Sequence, residues 1–308
     1  MKNILLFTLT ILMVKSINAQ VVSDSIHMNP GYTHQVFYQL SSQTKTHAPF
    51  NGAGGWDLGF EVTLMNAAVI SNPNSIVVYK VPNGDSAKYA SLSYAGYDSW
   101  EVLYNTDTSW EKGAFNIQAN SSNPFDFGWG TYDFTTHAVF GDSIYLIDKG
   151  GVLYKFWIRK KTATGDYIIR YADLTNGGSD VDVTIPAATY GTKNFVYFNI
   201  DNQSILDIEP ATSDWDVVFN HYITQIPYLG AYPVTGVQSN FGVAVAKAYP
   251  VDVTTVSYLD YSSSLSKQLS VIGYDWKTYD FSINQYVLED SLIYFVKSKN
   301  NAVNSLRF

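Results

Sequence analysis

The sequence predicts an all-β protein made of two tandem antiparallel β-sandwich-like modules, and three observations predict it. Tyr (24 residues) and Phe (17 residues) join Val, Ile and Thr in short runs broken by Gly, Asn, Asp and Ser, a composition that suits pleated strands joined by tight turns. No segment sustains a 3.6-residue apolar period between helix caps, so amphipathic helices are not expected. The chain also repeats itself: Gly54-Gly-Trp-Asp-Leu-Gly-Phe60 returns as Ser213-Asp-Trp-Asp-Val-Val-Phe219.

At the N-terminus, Lys2 precedes an apolar run from Ile4 to Val14 that ends at Asn18-Ala19-Gln20. That layout predicts a secretory signal peptide over residues 1–19, since the run is shorter than the roughly 20 apolar residues of a spanning helix. No Cys follows it, so no lipid-attachment residue is offered, and the mature chain is expected to be secreted, periplasmic or at the cell surface without a membrane span. Removing 19 of 308 residues leaves 289, enough for two ordinary domains. With no Cys in the chain, disulfides, thiolate metal sites and thiol nucleophiles are excluded. The formal net charge of -8 becomes -10 once Lys2 and Lys15 leave with the leader, which disfavours nucleic acid as a partner.

The repeat orders the rest. Gly31–Leu40 matches Gly191–Ile200 at an offset of 160, and Trp56 matches Trp215 at 159. Trp129-Gly-Thr-Tyr-Asp-Phe134 returns as Trp276-Lys-Thr-Tyr-Asp-Phe281 at 147. Copy one is therefore expected over 24–174, a linker over 175–190 and copy two over 191–308. Trp56, Leu58, Phe60 and Val62 alternate with Asp57, Gly59 and Glu61, predicting one strand with the first four on its buried face; Trp215, Val217 and Phe219 are expected to share the equivalent face. Hairpins are expected over 132–145 and 279–294, turning at Asp142-Ser143 and Asp290-Ser291. Gly165–Leu174 predicts one more strand, for which copy two has no counterpart.

Landmark spacing is 129 − 56 = 73 in copy one and 276 − 215 = 61 in copy two, so copy one carries 12 extra residues. These are expected around Tyr97–Phe115, where Trp100 and Trp110 lack counterparts. On a repeated scaffold such an insertion is a loop, and its aromatics are either ligand contacts or a cover for the sheet. In and just before the linker, Asp173, Asp180 and Asp182 suit either a hard-cation site or a solvated run of Asx turns.

No nucleophile elbow, metalloprotease helix, P-loop or dinucleotide fingerprint occurs, so a non-enzymatic protein is expected. Asp57 and Asp216, beside the repeated Trp residues, are expected to bond backbone amides at a strand start. His221 extends the Trp215, Val217, Phe219 face, and His137 stands where copy two has Asn284.

The aromatic strand, Trp-Asp-x-x-Phe, the Trp-x-x-Tyr-Asp-Phe hairpin and the closing Gly150-Gly-x-x-Tyr-Lys-Phe156 strand, followed by Gly165-Asp-Tyr-Ile-Ile-Arg-Tyr171, resemble the HmuY-like family of exported all-β proteins. The resemblance runs over nearly the whole mature chain, once per copy. It implies a haem-binding cleft with axial His or Met side chains and delivery of haem to an outer-membrane uptake receptor. By residue chemistry the candidate axial ligands here are His137, His221 and Met65. Two function classes follow: an exported binding protein for haem or another apolar ligand, and a structural surface module contacting glycan or another surface protein, with Trp100 and Trp110 as its contacts.

Overall fold

The computed structural model describes residues 21–52 and 54–308; the expected leader lies outside them. The chain folds into antiparallel sheets, as its composition predicts. Its first half runs through β1 (His34–Gln39), β2 (Thr44–Pro49), β3 (Leu58–Glu61), β4 (Val69–Ser71), β5 (Val77–Asp85), β6 (Val102–Leu103), β7 (Gly130–Asp133), β8 (Ala138–Gly141), β9 (Ser143–Lys149), β10 (Val152–Lys161), β11 (Tyr167–Asp173) and β12 (Val181–Ile185). The second half adds β13 (Phe195–Asn199), β14 (Ser204–Leu206), β15 (Val217–Ile226), β16 (Gly230–Ser239), β17 (Ala244–Ala248), β18 (Lys277–Asp280), β19 (Gln285–Leu288), β20 (Ile293–Lys297) and β21 (Val303–Leu306).

Two four-stranded sheets lie at the centre, ordered β16-β15-β1-β2 and β14-β13-β3-β4. Each takes strands from both halves of the chain. The β1–β2 hairpin adds to β15, with Val36 opposite Phe219, while the β13–β14 hairpin adds to β3, with Val196 opposite Phe60. Hydrogen-bond ladders therefore cross residues 175–190. The two Trp-Asp corners are tied in the same way: Asp57 N–H donates to Phe198 O and Asp216 N–H to Tyr38 O. Buried Asn72 and Asn240 donate side-chain N–H groups to Trp56 O and Trp215 O respectively.

Each central sheet backs onto a further sheet. Leu58, Phe60, Val196 and Phe198 pack against Ile147, Phe156, Tyr167 and Ile169 of the eight-stranded sheet. Tyr38, Val217 and Val237 pack against Val245, Tyr294 and Val296 of the three-stranded β17-β20-β21 sheet. The order is four layers, with the two small sheets facing each other in the middle.

Three expectations are corrected. Trp56 and Trp215 are buried, at 4% and 3% exposure, but not on the face of the residues that follow them. Trp56 packs with Ile70 and Tyr197 whereas Leu58 and Phe60 pack with the eight-stranded sheet; Trp215 packs with Phe37 and Val218 whereas Val217 faces the other way. The strands begin at 58 and 217, so each Trp lies before the pleat and the period-2 rule does not reach it. The β7–β8 and β18–β19 hairpins turn at 134–137 and 281–284 rather than at the acidic-Ser pairs, and His137 and Asn284 there take φ of +55° and +53°. Asp142 instead joins β8 to β9. Finally, the expected linker contains β12, whose Val181, Val183 and Ile185 alternate with Asp182 and Thr184 along β11. Its acids meet cations: Asp182 bonds Arg159 and Arg170, and Asp180 lies 2.9 Å from Lys155 Nζ.

Candidate functional site: an aromatic cleft between the central sheets

Between the two small sheets lies a cavity of about 220 Å³. The sheets face it with the residues that alternation leaves over once the outer layers are packed. From one come Gln35 and Phe37 of β1, Val218, Asn220 and Tyr222 of β15, and Gln238 of β16; from the other come Phe195 and Tyr197 of β13 and Ile70 of β4. Trp56 and Trp215, which lead into β3 and β15, reach the same space. Phe37 meets the Trp215 ring edge-on at 4.9 Å, and Tyr197 meets Trp56 at 4.8 Å. Such edge-to-face contacts fix ring positions.

The remaining wall is the segment from Val102 to Trp110, within the stretch expected to be an insertion. Residues 102–106, Ser109 and Trp110 line the cleft. The segment is pinned at several points: Val102 and Leu103 pair with Tyr79 and Val78, Asn105 exchanges hydrogen bonds with the backbone of Ser71, and Thr224 Oγ1 donates to Asp107. Trp110 packs against the aromatic clusters of both sheets and donates from Nε1 to Ser239 O at 2.8 Å.

The cleft's electrostatics are quiet. Among the described residues, neither Lys nor Arg lines it. Its one acid, Glu209, accepts from Asn194 N, Phe195 N and Tyr197 Oη at 2.9–3.2 Å. Burial outweighs those three donors and pushes its carboxyl up to about 7. His221 is half-buried beneath Tyr32, with the rings stacked 5.3 Å apart, and its Nδ1 contacts Asn74 Oδ1. Burial lowers its pKa, favouring the uncharged imidazole.

The five residues singled out in the sequence do not share one site. Only His221 and Trp110 line the cleft. Met65, 92% exposed, stands in the β3–β4 connection. His137 occupies the exposed left-handed turn position of the β7–β8 hairpin, its Nδ1 2.7 Å from Tyr132 Oη, where Asn or His is several-fold enriched. Trp100 covers the outer face of the eight-stranded sheet beside Tyr89 and Leu146.

Sequence reasoning missed Gln35, Asn220 and Gln238. A polar residue at a cleft-facing position of an otherwise apolar strand was the available signal, as in Val217-Val-Phe-Asn-His-Tyr222. Compared with known proteins, the chain matches no family model, no curated protein and no solved structure.

Proposed function

We propose that this chain is an exported, non-enzymatic binding protein whose ligand is a ring-bearing small molecule held in the cleft between the central sheets. One observation carries the reading: nine aromatic side chains, Phe37, Phe50, Trp56, Tyr104, Trp110, Phe195, Tyr197, Trp215 and Tyr222, converge on a single concave space. A cavity with such walls and a few polar groups is the usual form of a small-molecule site. Binding rather than catalysis is supported by the state of Glu209, whose carboxyl oxygens are taken up by backbone and tyrosine donors. Export is supported by the Lys2–Ala19 leader, and an intact mass of exported protein beginning at Gln20 tests it.

Size limits the ligand. An apolar cavity of roughly 150 Å³ takes one benzene, so about 220 Å³ suits one substituted ring or a small fused pair. The cleft does not fit the haem that the HmuY-like resemblance implies: the space is small for a porphyrin, and of the three candidate axial residues only His221 reaches it. Titration with 2-naphthol should therefore give saturable tryptophan quenching. At one hundred times its Kd it should add about 2.7 kcal/mol of stability. Ser109→Phe, which fills the cleft wall, should abolish both effects, and hemin should keep its free spectrum. A Soret shift that saturates at one equivalent and is lost in His221→Ala would restore the haem reading. Failure of every ring probe to bind would refute the cleft as a ligand site.

A further inference from the structure

Nine buried side-chain polar atoms lack a hydrogen-bond partner among the described residues, and five of them belong to residues lining this one cleft. They are Gln35 Nε2, Trp56 Nε1, Trp215 Nε1, Asn220 Oδ1 and Tyr222 Oη. Their residues are 3–7% exposed. Buried polar groups are ordinarily satisfied, so a cluster of exceptions around one cavity marks where a partner belongs. The pattern has content. Three atoms are obligate donors, one is an obligate acceptor, and the tyrosine hydroxyl serves as either. The two indole donors come from equivalent positions of the two halves.

Resting on the cleft as the ligand site, we propose that the ligand is a neutral polyhydroxylated ring, a single sugar residue, whose oxygens accept from Trp56, Trp215 and Gln35 and one of whose hydroxyls donates to Asn220. Each hydroxyl carries one donor and two acceptor lone pairs, and the ring oxygen only accepts, so a sugar is acceptor-rich as the site requires. A purely accepting ring such as a quinone would leave Asn220 Oδ1 orphaned. A charged ligand is disfavoured because no Lys or Arg among the described residues lines the cleft to compensate it, and a buried ion without a partner is costly. The cleft opens beside a second groove of about 260 Å³, which shares residues 102–106 and Ile223 with it and adds Glu101, Gln118 and Gln225. That groove gives room for a sugar linked to the first, so the bound residue comes either as a free monosaccharide or as the end of a neutral glycan.

Calorimetric titration of the mature protein tests this with glucose, galactose, mannose and N-acetylglucosamine, their neutral oligosaccharides, and glucuronic and galacturonic acids. The expected result is saturable binding of a neutral sugar and none of the uronic acids. Trp56→Phe or Trp215→Phe, which keep a ring but remove one N–H, should each weaken binding about tenfold. Tighter binding of the oligosaccharide than of its terminal residue identifies a glycan end; equal affinity identifies the free sugar. Should a Trp variant fail to fold by circular dichroism, Tyr222→Phe replaces it with the same expectation. The proposal is overturned if 2-naphthol binds and no neutral sugar does, which leaves the cleft standing as a site for apolar rings. It is overturned equally if the indole variants bind sugar unchanged. If neither class of probe binds, the cleft reading itself fails.

Discussion

Replacing Asp57 and Asp216 separately by Ala should produce unequal losses, although both residues serve the same backbone corner. Asp57 is fully buried. Its Oδ2 accepts from Ile200 N at 2.6 Å and from Lys149 Nζ at 2.8 Å, and Ser75 Oγ donates to Oδ1. Asp216 Oδ2 accepts from Leu40 N at 2.9 Å, as Asp57 does from Ile200 N. Removing either carboxylate orphans a backbone N–H that bridges the two halves, a loss of about 1–3 kcal/mol. Removing Asp57 also strips a mostly buried Lys149 of its inner partner, and breaking a buried ion pair costs about 3–5 kcal/mol. Lys149 keeps Asp201, 59% exposed, at 2.7 Å, which tempers the loss. Asp57→Ala should therefore cost about 4 kcal/mol and Asp216→Ala about 2 kcal/mol, by the same two principles. Equilibrium urea unfolding at pH 7 reads both. In a Lys149→Met background the gap between the two should close. Equal losses in the wild-type background, or a gap that survives Lys149→Met, would refute the assignment of the extra cost to the buried ion pair.

Three further outcomes follow. Trp56→Ala and Trp215→Ala should each cost about 3–5 kcal/mol in the same assay, the usual size for a buried large aromatic; an unchanged midpoint in either would contradict its packing. Glu209 is protonated in the folded state up to about pH 7, whereas in the unfolded chain it ionises near its ordinary value, so its contribution is complete below about pH 4.5 and is lost as pH rises to about 7. Buried Glu61, also raised by burial, acts in the same direction, and His221, lowered by burial, opposes them. Glu209→Gln should therefore shrink the stability difference between pH 5 and pH 8 by on the order of 3 kcal/mol, and an unaltered pH profile would count against a neutral Glu209. His137→Asn should leave stability within about 0.5 kcal/mol, because Asn tolerates the left-handed turn as well as His does; a large loss in thermal unfolding would mean that His137 does more than turn the chain.

How far the sequence could be read divides along local and non-local lines. The strand at Tyr167–Asp173 followed from local alternation, because one face of a half-buried strand must be apolar; Trp56 and Trp215 are buried as expected of large aromatics, but on a face that alternation did not assign. The reciprocal pairing of β1 with β15 and β13 with β3 did not follow, since period-2 alternation fixes which face a strand buries but not which strand lies beside it. Asp57 and Asp216 were legible as amide-binding acids, yet their targets, Ile200 and Leu40, lie in the opposite halves. Strand β12 was hidden by the turn-forming Asn176-Gly-Gly-Ser-Asp run that precedes it. For the cleft, Trp110 was visible as an unmatched aromatic of the expected insertion. Gln35, Asn220 and Gln238 were not, because polar residues in a strand read as solvent-facing until a second sheet is known to cover them.

The chain has seven Trp, and their indole N–H signals report on the cleft separately from the rest of the molecule. In ¹H–¹⁵N spectra of the ¹⁵N-labelled mature protein, saturating neutral sugar should shift the Nε1–H resonances of Trp56 and Trp215, which have no partner among the described residues, together with that of Trp110 in the same wall. Those of Trp100, Trp129, Trp157 and Trp276, outside the cleft, should stay in place. Shifts confined to that second group, with Trp56 and Trp215 unmoved, would contradict a ligand site between the central sheets.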